Sequence, residues 1–126
     1  MFRLLQGDVG SGKTIVALIA ALNAIISGFQ VTFMAPTEIL ARQHFNLAKK
    51  IFPKSVNIEL ISGKSEYKVK QDIYHRLGKH KIDIIFGTHA VFQKKVSFKK
   101  LGLIIIDEQH KYYFWYTRCI SKKSYV

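Results

Sequence analysis

Residues 7–14 read GDVGSGKT, and the reading of the whole chain turns on what stands to either side of them. The octet fits G-x-x-x-x-G-K-[ST] at every fixed position. An apolar stretch, FRLLQ at 2–6, precedes it, and TIVALIAALNAII at 14–26 follows it. A chance glycine turn would reproduce the spacing but not this strand–loop–helix setting. The residue types have physical reasons. Glycines let the backbone curl until successive N–H groups face inward, where they can cradle phosphate oxygens. A helix that starts directly afterwards adds the positive end of its dipole. Gly7, Asp8, Val9, Gly10, Ser11, Gly12, Lys13 and Thr14 are therefore candidates for binding a nucleotide triphosphate such as ATP. Lys13 would reach the β and γ phosphates, and Thr14 would offer a hydroxyl to Mg²⁺.

Further along the chain, short apolar runs at 31–35, 56–61, 82–86 and 101–107 join 2–6 as expected strands. Several are continuous rather than alternating, as strands covered on both faces of a parallel sheet should be. Helices are expected at 13–27, 37–51 and 66–77. Gly28 suits the end of the first. Thr37 suits the cap of the second, with Glu38 in its first turn. The order predicts an α/β fold with a mainly parallel sheet and helices on both faces.

A phosphate loop needs an acid for the metal, and LIIIDEQH at 103–110 supplies one. Its four apolar residues deliver Asp107 to the C-terminal edge of the sheet, where ligands of open α/β folds sit. Asp107 is the expected Mg²⁺ carboxylate. Glu108 is placed to orient or deprotonate an attacking water. A lone Asp-Glu pair after a core strand is commonly an exposed turn; the glycine loop gives this pair its meaning.

The net charge is +12, from 20 Lys and Arg against 8 Asp and Glu. That excess suits a polyanion such as nucleic acid, although lysines scattered as in KHK and KKVSFKK read equally as solvated surface. With 48% hydrophobic and 22% charged residues the chain is globular in composition. Its most apolar stretch, 14–26, is shorter than the ~20 residues a membrane span needs and reads as a buried helix. Cys119 is the one cysteine, which excludes an internal disulfide and makes a reducing cytoplasm the simplest compartment.

Taken together, RLLQGDVGSGKT, MAPTEILARQH, GTHAVFQ and LGLIIIDEQH resemble the superfamily 2 helicases of the DExH type, and within them the RecG-type branch of replication-fork-remodelling DNA helicases. The stretches stand in the family's order and cover most of residues 3–110. Transcription-repair coupling factors and primosomal helicases share the architecture, usually with DEEH where this chain has DEQH. The resemblance implies a RecA-like P-loop NTPase domain that uses ATP and Mg²⁺ on DNA. It makes Lys13 and Glu108 catalytic. It puts Pro36 and Thr37, in the stretch at 35–44, and Gly87, Thr88 and His89, in GTHA at 87–90, along the DNA backbone. Gln109 and His110 would couple nucleotide state to a second motor domain. Read alone, 35–44 is only a capped helix and His89 only structural. His44, His75 and His80 lack metal-ligand spacing and read as surface or packing residues.

The chain also departs from the pattern. Such helicases carry a DNA-binding wedge domain and an adenine-reading glutamine before the glycine loop, and six residues stand there here. After DEQH they continue with a basic residue, which Lys111 matches, then F-G-V and a Ser-Ala-Thr motif, followed by a second motor domain with an arginine finger. YYFWYTRCISKKSYV at 112–126 matches none of this. The expectation is a partial first motor domain at 1–110, incomplete at its C-terminus, with 111–126 a divergent or frameshifted tail. Its aromatic run would expose an adherent surface, and the lack of the family's later strand and helices would leave a sheet edge unpaired. An arginine finger contributes about 10³–10⁵ in rate, so turnover by this chain alone should be weak. A non-catalytic nucleotide- or DNA-binding remnant remains the alternative. A small phosphate-loop kinase would need a lid and basic phosphate clamps, for which the sequence has no pattern.

Overall fold

The computed structural model describes residues 11–89, 96–108 and 111–116. The strand expected at 2–6, the loop residues Gly7, Asp8, Val9 and Gly10, and Gln109 and His110 lie outside them.

The element order is α1 (Ser11–Ile26), β1 (Gln30–Ala35), α2 (Glu38–Ile51), β2 (Ile58–Leu60), α3 (Tyr67–Gly78), β3 (Ile84–Thr88), β4 (Leu101–Glu108) and β5 (Lys111–Tyr116). They build one sheet in the order β2-β3-β1-β4-β5. The first four strands are mutually parallel, and β5 returns antiparallel along β4.

The continuous apolar runs have a simple cause: each inner strand feeds two cores. Val31 and Phe33 of β1, Ile84 and Phe86 of β3, and Leu103 and Ile105 of β4 face α1 and α2. Ile85 and Ile104 point the other way, toward Ile73 and Leu77 of α3 and toward Val96 and Phe98. Helices therefore lie on both faces, as the run lengths predicted.

Local signals set the helix ends. Gly28 has φ +97°, and its N–H bonds the Ile25 carbonyl at 2.9 Å while Phe29 N–H bonds that of Ala24 at 3.0 Å, closing α1 in the left-handed conformation glycine favours. The Thr37 hydroxyl accepts from Leu40 N–H at 3.2 Å and caps α2. Gly102 is required by space, since a Cβ there would come within 2.6 Å of the Phe29 side chain.

Gln30, fully buried at the start of β1, ties three segments together. Its amide nitrogen donates to the carbonyls of Leu77 and Ile82, each at 2.9 Å, and its amide oxygen accepts from Lys100 N–H at 2.8 Å. The end of α3, the approach to β3 and the approach to β4 all converge on this one side chain.

Two expectations need correction. The apolar helix at 14–26 is buried on one face only. Ala17, Leu18 and Ala21 are inaccessible, whereas Val16, Ile19 and Ile26 are 49%, 51% and 74% exposed, because α1 turns one face to β1 and β4 and the other outward. The aromatic run after DEQH is not an exposed tail throughout. As β5, residues 111–116 extend the sheet, and strand alternation sinks Tyr112 and Phe114 into the core beside Phe33, leaving Trp115 and Tyr116 half-exposed.

Candidate functional site

The site lies where the parallel strands end. β4 carries Asp107 to that edge and buries it, and leaves the next residue, Glu108, exposed. α1 starts at the same edge, with Lys13 exposed and Thr14 half-buried in its first turn. Thr14 and Asp107 are the residues expected to hold Mg²⁺, and the structure brings them to a common neighbour. Tyr112 stands opposite Asp107 in the β4–β5 register, and its hydroxyl lies 2.7 Å from the Thr14 hydroxyl. Burial pushes the Tyr112 phenol above its ordinary pKa. The charge of Asp107 acts in the same direction, and the bond to Thr14 opposes them.

Asp107 is held from the other side by His44, whose Nε2 is 3.0 Å from Oδ2. α2 turns this histidine inward on the stripe Ala41, His44, Ala48. Its ring lies on Phe33 with centroids 4.8 Å apart and meets Tyr112 edge-on at 6.2 Å. Thr14, Tyr112, Asp107 and His44 thus form one row across α1, β5, β4 and α2.

A hydroxyl and a carboxylate are hard oxygen donors, and Mg²⁺ is commonly held by one or two carboxylates together with substrate phosphates and water. Among the described residues no group of three or more His, Cys, Asp and Glu side chains could form an all-protein metal cage. The residues present fit Mg²⁺ brought in with a nucleotide.

The other candidates share this edge. Ala35 and Thr88 are partners in the β1–β3 register, as are Met34 and Gly87, so 36–37 and 87–89 emerge from adjacent strands. Pro36 and Thr37 are exposed, Thr88 and His89 half-buried, and Gly87 buried. The Glu38 carboxylate, in the first turn of α2, accepts from the Gly63 N–H at 3.0 Å.

Sequence reasoning missed two members of the row. His44 reads as a surface or packing residue because nothing in α2 marks a carboxylate 63 positions away. Tyr112 was assigned to the tail, although a dense aromatic run directly after a strand is itself a strand signal.

Comparison with known proteins adds an independent line. The model of the DEAD/DEAH box helicase family matches residues 3–124. The ATP-dependent DNA helicase RecG of Streptococcus pneumoniae serotype 4 is 45% identical over 124 residues, 98% of this chain and 18% of the relative. The RecG of Bacillus subtilis strain 168 is 50% identical over 113 residues, 89% of this chain and 17% of the relative. A solved structure of RecG bound to a three-way DNA junction superimposes with a TM-score of 0.74 at 46% identity, covering 82% of this chain and 14% of that one. The chain therefore spans less than a fifth of these relatives' length.

Proposed function

We propose a function from one premise, that the chain belongs to the DEAD/DEAH box helicase family: it is the nucleotide-binding part of a RecG-type, ATP-dependent DNA helicase motor. The observation that carries this reading is the convergence of Thr14 and Asp107 on Tyr112 at the C-terminal edge of the sheet. In it, residues 7–14 hold the triphosphate, with Lys13 on its outer phosphates. Thr14 and Asp107 hold Mg²⁺, which when bound neutralises phosphate charge. Glu108, exposed beside Asp107, orients the attacking water. Pro36, Thr37, Gly87, Thr88 and His89 line the path of the DNA backbone, where the start of α2 can receive a phosphate. Gln109 and His110 pass nucleotide state onward to a second motor domain. Residues 1–110 form the partial motor domain, and 111–126 its divergent continuation. Among the described residues no helix is long and apolar enough to cross a membrane, and we assign the protein to the bacterial cytoplasm.

A fluorescent ATP analogue titrated into the chain with and without Mg²⁺ tests the nucleotide half of the reading. The expected result is saturable binding that Mg²⁺ tightens; affinity indifferent to Mg²⁺ would refute the metal assignment. A labelled three-way DNA junction tests the other half. Binding should weaken steeply with salt, as phosphate contacts demand, and a salt-insensitive or absent signal counts against it.

The Thr14–Tyr112 bond supports a second reading, in which the chain binds nucleotide without turning it over. Where the Tyr112 hydroxyl is the donor, it competes with metal for the Thr14 oxygen. A neutral hydrogen bond contributes about 0.5–1.5 kcal/mol, so Tyr112→Phe should tighten Mg²⁺-nucleotide binding, by up to roughly tenfold. Weaker binding by the variant would mean that the phenol assists the ligand.

A further inference from the structure

We propose that His44 is a positioning residue for the metal site: it holds the Asp107 carboxylate in the orientation that takes Mg²⁺, and so sets how strongly Mg²⁺ tightens nucleotide binding. The inference rests on the reading above that Asp107 is a metal ligand.

Packing alone does not account for His44. The inward stripe of α2 is otherwise alanine, at 41 and 48, and these small side chains bring the helix close to the sheet. An apolar residue between them would fill the same space against Phe33. The chain instead buries an imidazole, 7% exposed, and aims its Nε2 at Asp107 Oδ2 at 3.0 Å. An ionised carboxylate only accepts hydrogen bonds, so the imidazole N–H donates.

The ring has little freedom to do otherwise. Phe33 lies under it at 4.8 Å with a 38° tilt, and Tyr112 stands edge-on at 6.2 Å. Phe33 is itself stacked on Phe86 at 5.1 Å, which fixes the floor. A donor clamped in this way fixes the carboxylate it serves. Partners that orient a metal ligand from behind typically contribute 10–100-fold to metal affinity. The clamp also ties α2, whose first turn Thr37 caps, to the strand that carries the metal carboxylate.

Two substitutions separate this role from structural support. His44→Phe keeps a flat ring over Phe33 and removes the donor. His44→Gln restores an N–H donor on a different frame. The readout is the dissociation constant of a fluorescent ATP analogue, measured in excess EDTA and then across a Mg²⁺ titration of the full chain. With EDTA, His44→Phe should bind within about twofold of the unsubstituted chain. Its Mg²⁺ midpoint should rise ~10–100-fold, and His44→Gln should recover much of that rise. An unchanged midpoint in His44→Phe overturns the proposal. So does a His44→Gln midpoint as high as that of His44→Phe. Should His44→Phe fail to fold by circular dichroism, His44→Met against His44→Gln makes the same cut. If the unsubstituted chain binds nucleotide without regard to Mg²⁺, both this inference and the metal assignment fall. If the unsubstituted chain responds to Mg²⁺ and the variants respond at the same midpoint, the role of His44 alone falls.

Discussion

Lys13→Ala is expected to lose ATP binding by about 100-fold or more, while the fold stays intact. The reasoning runs through geometry and charge. Lys13 sits exposed in the first turn of α1, at the C-terminal edge of the sheet. Truncating it removes no core contact, so stability should change by less than ~0.5 kcal/mol. In the bound state the ammonium would lie between the two outer phosphates. Each charge-assisted hydrogen bond there contributes about 1.5–3 kcal/mol, and each 1.4 kcal/mol is about tenfold. Lys13→Arg should not restore binding, because a planar guanidinium cannot stand in for a compact point charge among phosphates. Equilibrium titration with a fluorescent ATP analogue measures the loss, with circular dichroism as the control for folding. Undiminished affinity would mean that the nucleotide, if it binds, does so away from residues 7–14.

Gln30→Leu should produce the largest loss of stability. The side chains are close in volume, so packing is nearly conserved. What changes is hydrogen bonding. The Ile82 carbonyl loses its amide donor and the Lys100 N–H its acceptor, while the Leu77 carbonyl keeps the His80 N–H at 3.2 Å. Leaving a buried polar group unpaired costs about 1–3 kcal/mol. Two such groups, not fully additive, should cost the domain roughly 2–4 kcal/mol, against a total stability of about 5–15 kcal/mol for a typical domain. A urea titration should show the midpoint falling steeply. A loss below about 1 kcal/mol would show that water reaches these groups once the glutamine is gone.

Gln30 also marks the limit of what the sequence could tell. A glutamine in front of an apolar run reads as a polar flank, and only the folded chain reveals that three backbone groups from distant segments meet there. The features legible beforehand were those whose cause is local. Gly28 ends α1 because only its own backbone matters, and Thr37 caps α2 by reaching three residues ahead. The runs in β1, β3 and β4 were legible because burial on both faces leaves no polar position to interrupt them. Asp107 was legible as the polar residue at which such a run stops.

The illegible parts depended on partners far along the chain. Strand order is one. β5 is another, since its alternation is hidden when both faces are aromatic, and Tyr112 is told from Tyr113 only by which side meets Phe33. His44 is the third. The sequence leaves it a surface or packing residue, and nothing near it in the chain announces the carboxylate it meets.

The strand order has a consequence for how the chain reaches its native state. β1 is the first strand among the described residues, yet both of its neighbours come later: Val31 pairs with Ile84 on one side and with Leu103 on the other. No hairpin can start the sheet at β1, so its first ladder waits for a long loop to close. Topologies dominated by such distant pairings fold slowly. Ribosomal synthesis adds roughly 5–20 residues per second, so several seconds separate the emergence of β1 from that of β4. For that interval Val31 and Phe33 have no strand partner in β4 to settle against, and the nascent chain is most exposed to chaperones and to misassociation while its future centre is still unpaired.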